Sequence, residues 1–173
     1  MSNRLKNLRE IHGQPSKRSS EKVCSYLKDE IQDFIKLSPF AVLSSCDDQG
    51  NCDASPRGGL PGFVKIIDDM TLFIPDIKGN RLFQSFGNFE SNPKSGLLFM
   101  IPGINRTMRV NGRVSIVEKE DIESKKLEAY YKDENTELIQ GFFLHVDEAY
   151  HQCSRSLQFS DLWNTETIIK NQK

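Results

Sequence analysis

The chain has 173 residues, 23 Lys and Arg against 24 Asp and Glu, a formal net charge of −1 and 37% hydrophobic residues. This is the size and composition of one folded domain, and it excludes both a second full core and a disordered chain. The near-zero charge leaves no surplus of cations for a protein devoted to nucleic acid, and no apolar run approaches the roughly 18 residues of a membrane-spanning helix.

Residues 1–14 are polar and lack the apolar stretch of a secretory signal. They are expected to form, with residues up to 18, a solvated arm on a single domain covering 1–173. A helix is expected over 20–36, capped by Ser19 or Ser20. Its apolar face is Val23, Leu27, Ile31, Phe34 and Ile35, spaced three and four apart. The period then changes. Phe40 to Cys46 is a β-type run, Asp47-Asp48-Gln49-Gly50 is a turn, and Asn51 to Pro56 returns as a second strand. Cys46 and Cys52 flank that turn and can face each other across the hairpin. A second hairpin is expected from 63–67 and 71–74 around Asp68-Asp69-Met70. Leu82, Phe83, Phe86 and Phe89 mark a helix over 80–90, which Asn92-Pro93 stops. Gly96 to Ile101 reads as a buried strand. Thr107 to Val117 reads as a long strand with Gly112 at a bulge or tight corner. A charge-rich surface helix is expected over 121–132 and a last strand over 141–146. His145 is expected to be a hydrogen-bonded core or interface residue, and Asp147-Glu148 a helix start. Residues 149–159 are ambiguous, and 164–173 form a polar tail. Six or seven strands in consecutive hairpins favour an antiparallel barrel over a doubly wound sheet.

Three runs can carry chemistry. Ser55-Pro56-Arg57-Gly58-Gly59-Leu60-Pro61-Gly62 has glycines that permit close backbone approach to a ligand. It also carries a permanently charged guanidinium suited to phosphate. Ile74-Pro75-Asp76-Ile77-Lys78-Gly79-Asn80-Arg81 ends a strand and opens a helix, with two cations beside the exposed N–H groups. A capped helix start with Asn80 as the cap explains the same run without a ligand. Arg106-Thr107-Met108-Arg109-Val110-Asn111-Gly112-Arg113 puts Arg109 and Arg113 on one strand face, which a solvated outer surface also explains. The three histidines sit in no nucleophile arrangement, and no serine lies in a GxSxG elbow. No side chain is therefore assigned a catalytic role. The four cysteines, Cys24, Cys46, Cys52 and Cys153, form no CxxC pair, so reduced thiols in a cytoplasmic protein and no metal site are expected. Trp163, with Leu162, is an aromatic anchor for the barrel, a ring cofactor or a partner chain.

Taken in order, SPRGG, PGF, VKIIDD, TLFIPDIKGNR, NP, GLLFMIPG and RTMRVNGRV resemble the pyridoxamine 5′-phosphate oxidase-related family of FMN-binding split barrels. The similarity covers roughly residues 35–163, and it is greatest to small bacterial members with an SPRGG run and a terminal Ser-x-Leu-Trp. The resemblance implies a mainly β, antiparallel split barrel of about six strands in Greek-key order, with flanking helices. It also implies a homodimer with FMN at the interface. Carried over, Arg57, Lys65, Lys78, Asn80 and Arg81 become phosphate or ribityl contacts. Ile74 and Pro75 lie along the flavin, Thr107 and Arg109 stand near the isoalloxazine, and Ser160 and Trp163 reach the cofactor from the terminal motif. Gln152, Phe159 and Asp161 depart from a His and from Arg residues that relatives carry.

The activity this implies is that of an FMN-dependent oxidoreductase working with a small-molecule electron donor and acceptor, and not pyridoxamine 5′-phosphate oxidation itself. Two other readings stay open. One is a non-enzymatic flavin or haem sequestering module, or a redox sensor. The other is a dimeric scaffold that has lost the site. A deazaflavin in place of FMN also stays open.

Overall fold

The computed structural model describes residues 3–127 and 136–172. Its centre is one antiparallel sheet of seven strands: β1 Phe40–Cys46, β2 Cys52–Gly58, β3 Lys65–Asp68, β4 Thr71–Ile77, β5 Lys94–Met100, β6 Thr107–Glu118 and β7 Leu138–Gln152. The order across the sheet is β2-β1-β5-β6-β7-β4-β3, with β2 and β3 at its edges. The helices are α1 Asn3–His12, α2 Lys17–Glu21, α3 Asp29–Leu37, α4 Gln84–Ser91, α5 Lys119–Ser124, α6 Arg155–Phe159 and α7 Thr165–Asn171. Helices α1 and α7, in the segments expected as arm and tail, bury no residue.

The period-two alternation builds the core. Ala41 and Leu43 of β1 share a face with Leu97 and Phe99 of β5, Met108 and Val110 of β6, Phe142 and Leu144 of β7, and Leu72 and Ile74 of β4. Onto this face α3 lays Ile31, Phe34 and Ile35, and α4 lays Phe86 and Phe89. Phe89 and Phe86 meet Phe142 with ring centroids 5.3 and 6.0 Å apart. A smaller cluster covers the other face, where Phe73 and Val117 pack on Ile122 of α5.

Several elements differ from the sequence expectation, each for a local reason. The helix expected over 20–36 is two helices separated by an extended strap. Cys24 exchanges both backbone bonds with Ala149, at 3.0 and 2.7 Å, and the Leu27 N–H donates to the Asp69 carbonyl at 2.7 Å. These sheet-type bonds replace the helical ladder, although Leu27 is still buried. Ser16, rather than Ser19 or Ser20, caps α2. The helix expected from 80 begins at Gln84, because Arg81 and Phe83 are left-handed at φ 61° and 50°. The Asn80 side chain accepts instead from the Leu82 N–H at 3.0 Å, an Asx-type turn. The surface helix ends at Ser124, and the part of it expected over 128–132 lies outside the described residues. Strand β7 runs 15 residues and takes in Asp147 and Glu148, which were expected to start a helix. His145 lies on its exposed face, with Nε2 3.0 Å from the Ser115 hydroxyl.

The expected irregularity at Gly112 is present. Asn111 pairs with Glu148 and Gly112 with Val146, so Asp147 is the extra residue of a bulge carried by β7. A Cβ on Gly112 would stand 2.0 Å from the His145 carbonyl oxygen. Only glycine lets the two strands approach there. Because the extra residue is on β7, the alternation of β6 is unbroken and Arg109 and Arg113 share its outer face.

Candidate functional site

Strand β2 is polar on its inner face because it is an edge strand with little to cover it. Asp53, Ser55 and Arg57 pair with Ser45, Leu43 and Ala41, so they point the same way as the core residues of β1. Pro56 is tolerated here because its missing N–H faces the open edge. Strand β4 brings an equivalent polar residue from the far side: Asp76 continues the inward row of Leu72 and Ile74. The sheet curls until these two ends meet. Arg57 Nη1 donates to Asp76 Oδ1 at 2.5 Å, with the side chains 17% and 9% exposed.

The Arg57–Asp76 pair sits in a cleft of about 470 Å³ between β2, β4, the turn 77–83 and the start of α4. Helix α4 is tied to the β1–β2 hairpin by Ser85 Oγ to Asp53 Oδ2 at 3.2 Å and Asn88 Nδ2 to Ser45 Oγ at 2.9 Å. The cleft is lined by three cations, Arg57, Lys78 and Arg81, and two carboxylates, Asp53 and Asp76. Lys78 is anchored at the rim by its backbone N–H to the Glu137 carbonyl, at 2.9 Å, and by its ammonium to the Glu137 carboxylate, at 3.2 Å. Pro75, Ile77, Phe63 and Phe86 supply apolar wall, and Leu82 and Phe83 stand at the lip, 65% and 43% exposed.

One atom in this cleft has unspent hydrogen-bonding capacity. Among the described residues, Arg57 Nε is buried without a partner. A buried donor of this kind is costly to leave unmatched, and a guanidinium presents a fork shaped for the oxygens of a phosphate. The donor set therefore fits an anionic, phosphorylated ligand with an apolar or aromatic portion against Pro75 and Ile77. Among the described residues no three His, Cys, Asp or Glu side chains come together as a metal site.

Of the residues singled out in the sequence, Arg57, Pro75, Lys78, Asn80 and Arg81 line this one cleft. Ile74 is wholly buried in the core beneath it. Lys65 opens β3, paired with Phe73, and is not among the lining residues. Thr107 is buried at the start of β6. Arg109 is engaged elsewhere: Nη1 donates to the Tyr150 hydroxyl at 3.0 Å, and with the Gln152 amide turned so that its oxygen faces the guanidinium, Nη2 donates to that oxygen at 3.0 Å. Gln152, one of the departures from the family pattern, is thus a partner of Arg109. Ser160 donates to the Leu157 carbonyl at 3.2 Å, and Trp163, whose buried Nε1 has no partner among the described residues, does not line the cleft of its own chain. Asp53, Asp76 and Ser85 were not anticipated. The first could have been found from the alternation Asp53-x-Ser55-x-Arg57, and the second from a lone carboxylate in the apolar run of β4.

No curated protein matches the sequence. Among solved structures, a protein from Lactobacillus delbrueckii assigned to the pyridoxamine 5′-phosphate oxidases superposes with a TM-score of 0.55, at 19% identity over 73% of this chain and 95% of that one. HupZ from Group A Streptococcus gives 0.52, at 16% identity over 73% and 94%. An FMN-binding protein from Syntrophomonas wolfei gives 0.50, at 10% identity over 86% and 97%. These similarities show the fold, the split barrel expected from the sequence, with seven strands instead of about six. The pyridoxamine 5′-phosphate oxidase family model matches residues 27–152, which include every strand and the whole cleft, and the chain accordingly belongs to that family.

Proposed function

We propose that the cleft between β2, β4 and α4 binds FMN through its phosphate, and that the protein is a flavin-dependent oxidoreductase acting as a homodimer. The observation that carries this reading is Arg57: nearly buried, charged, aimed into the cleft and left with an unpartnered Nε. Lys78 and Arg81 add charge at the rim, and the Asx turn at Asn80 sets Arg81 in its left-handed conformation beside the cleft. Bound there, FMN would supply two-electron chemistry between a small-molecule donor and an acceptor. This chain's part is to hold the phosphate, shield the ring with Pro75, Ile77 and Phe83, and orient it. Asp76 competes with the ligand for the Arg57 fork and so sets its affinity.

The lip of the cleft supports the dimer. Ile77, Leu82 and Phe83 are all more than 40% exposed, an apolar rim that a second copy would cover. Phe159 and Leu162 of the terminal segment are exposed as well, at 76% and 44%. In that assembly the partner's terminal segment, which carries Ser160 and Trp163, would close the site.

The decisive experiment is a visible spectrum of protein purified without added cofactor, with mass analysis of any ligand released by heat, followed by FMN titration. A yellow protein releasing FMN is expected. Arg57→Ala combined with Arg81→Ala should weaken FMN by at least one hundredfold, since each removes a charge-assisted bond of about 1.5–3 kcal/mol. Unchanged affinity overturns the site, and a protein that ignores added FMN overturns the flavin reading.

A further inference from the structure

Strand β1 ends and β2 begins in cysteines that the register places directly opposite each other, Cys46 against Cys52. The Asp47 N–H donates to the Asn51 carbonyl at one end of the hairpin, and the Gly59 N–H donates to the Pro39 carbonyl at the other. Odd-numbered positions of β1 are therefore the hydrogen-bonded ones and even-numbered positions are not. Pro56 agrees: it pairs with Val42, an even position, where its lack of an N–H costs the ladder nothing. Cys46 and Cys52 thus form a non-hydrogen-bonded pair, the class with Cα atoms about 4.5 Å apart and side chains closest. That separation lies just inside the range a disulfide spans, about 4.4–6.8 Å, and near its short end.

Both thiols are free, Cys46 half-buried and Cys52 exposed. They point away from the cleft, because Asp53 and Arg57 alternate to the other face. A shallow outer groove of about 540 Å³ reaches them, lined also by Ser44, Lys94, Asn111 and Asp147. Each thiol donates to a carbonyl of the turn, Cys46 Sγ to Asp47 at 3.4 Å and Cys52 Sγ to Gly50 at 3.6 Å. The neighbouring Cys52 and partial burial hold the Cys46 thiol above its ordinary value.

We propose that Cys46 and Cys52 are a cross-strand dithiol that exchanges with small-molecule disulfides to form a reversible intrachain bridge. The Cys52 thiolate attacks one sulfur of a disulfide R–S–S–R, forming a mixed disulfide and releasing the first thiolate. Cys46 then loses its proton and attacks the Cys52 sulfur, closing the Cys46–Cys52 bond and releasing the second thiolate. Two protein thiols are oxidised by two electrons, and one disulfide is reduced to two thiols, which take up the two protons. The closed ring spans only the five turn residues 47–51. With Cys52 exposed, the bridge stays open to attack by reductant, so it is of the easily reduced, switching kind rather than a permanent staple. Being on the outer face, the site does not depend on the flavin reading.

The test is incubation of the full-length protein with glutathione disulfide, followed by intact mass and peptide mapping. In wild type Cys46 and Cys52 should both lose their free thiols, with loss of two hydrogens and no glutathione on either, and recover with dithiothreitol; the exposed lone Cys153 takes glutathione independently. Cleavage at Asp47 and Asp48, which lie between the cysteines, should give two peptides that separate only after reduction. Cys46→Ser should stop at one glutathione on Cys52, and Cys52→Ser should form no bridge at Cys46. A stable glutathione adduct on Cys46 or Cys52 of wild type, a bridge through Cys24 or Cys153, or Cys46 and Cys52 thiols that both remain free would each overturn the proposal.

Discussion

The Arg57–Asp76 pair joins β2 to β4 across the curled sheet, so its energetics test both the fold and the site. An exposed ion pair contributes about 0–1 kcal/mol, whereas breaking a fully buried one by removing a single partner costs about 3–5 kcal/mol. Here the two side chains are 17% and 9% exposed, and the pair borders a cleft open to water. The carboxylate left behind by Arg57→Met can be partly rehydrated from that side, which puts the expected loss at about 2–3 kcal/mol. Methionine keeps the aliphatic stem packed, so the loss reports charge rather than volume. Asp76→Asn keeps an acceptor in place and should cost about 1–2 kcal/mol. The double variant should cost clearly less than the two singles added, by about 1 kcal/mol or more, because each single leaves the other's partner stranded. Urea unfolding followed by far-UV circular dichroism measures all four corners of the cycle, at unchanged m-value. Additivity within about 0.5 kcal/mol would refute the reasoning, since the pair would then be no more than two residues near each other. The same cycle reads the site. Asp76→Asn removes the charge that competes for the Arg57 fork and should tighten FMN, while Arg57→Met weakens it.

Two further predictions rest on other parts of the fold. Gly112→Ala must push a Cβ against the His145 carbonyl, 2.0 Å away in the present geometry, and should destabilise by about 3 kcal/mol or more in urea unfolding. Gly103→Ala, at φ 82° with nothing within 4 Å, should cost only about 1–2 kcal/mol. Asp147 is held below its ordinary carboxylate value, 3.8, chiefly by its hydrogen bond from Lys94. A carboxylate depressed in the folded state contributes stability that is present above 3.8 and lost as pH falls through the lower folded value. Carboxyl-carbon NMR titration should place the Asp147 midpoint below 3.8 and move it upward in Lys94→Met.

The β1–β2 hairpin was legible because its turn chemistry is local. Asp47 Oδ1 accepts from the backbone N–H groups of Gln49 and Asn51, at 3.0 and 2.8 Å, which is what an Asp at that position of a turn does wherever the chain goes next. The bulge at Gly112 was legible for the same kind of reason, as a residue without a side chain in the middle of an apolar strand. The strap at 22–28 was not. Its apolar spacing is helical, and only the presence of Ala149 and Asp69 as backbone partners, more than 40 positions away, makes the extended form the better one.

The candidate site divides along the same line. The amino-acid sequence alone determined the antiparallel sheet, the hairpin cysteines and the two basic, glycine-bearing runs around Arg57 and Arg81, because alternation, turn residues and charge are properties of short segments. The curl of the sheet was decided only in three dimensions. Arg57 and Asp76 are 19 residues apart in the chain and belong to strands with four others between them in the sheet. Their meeting, and with it the cleft, follows from closing a seven-stranded sheet over Phe86, Phe89 and Phe142. It depends on the summed packing of the whole core, which no single segment carries.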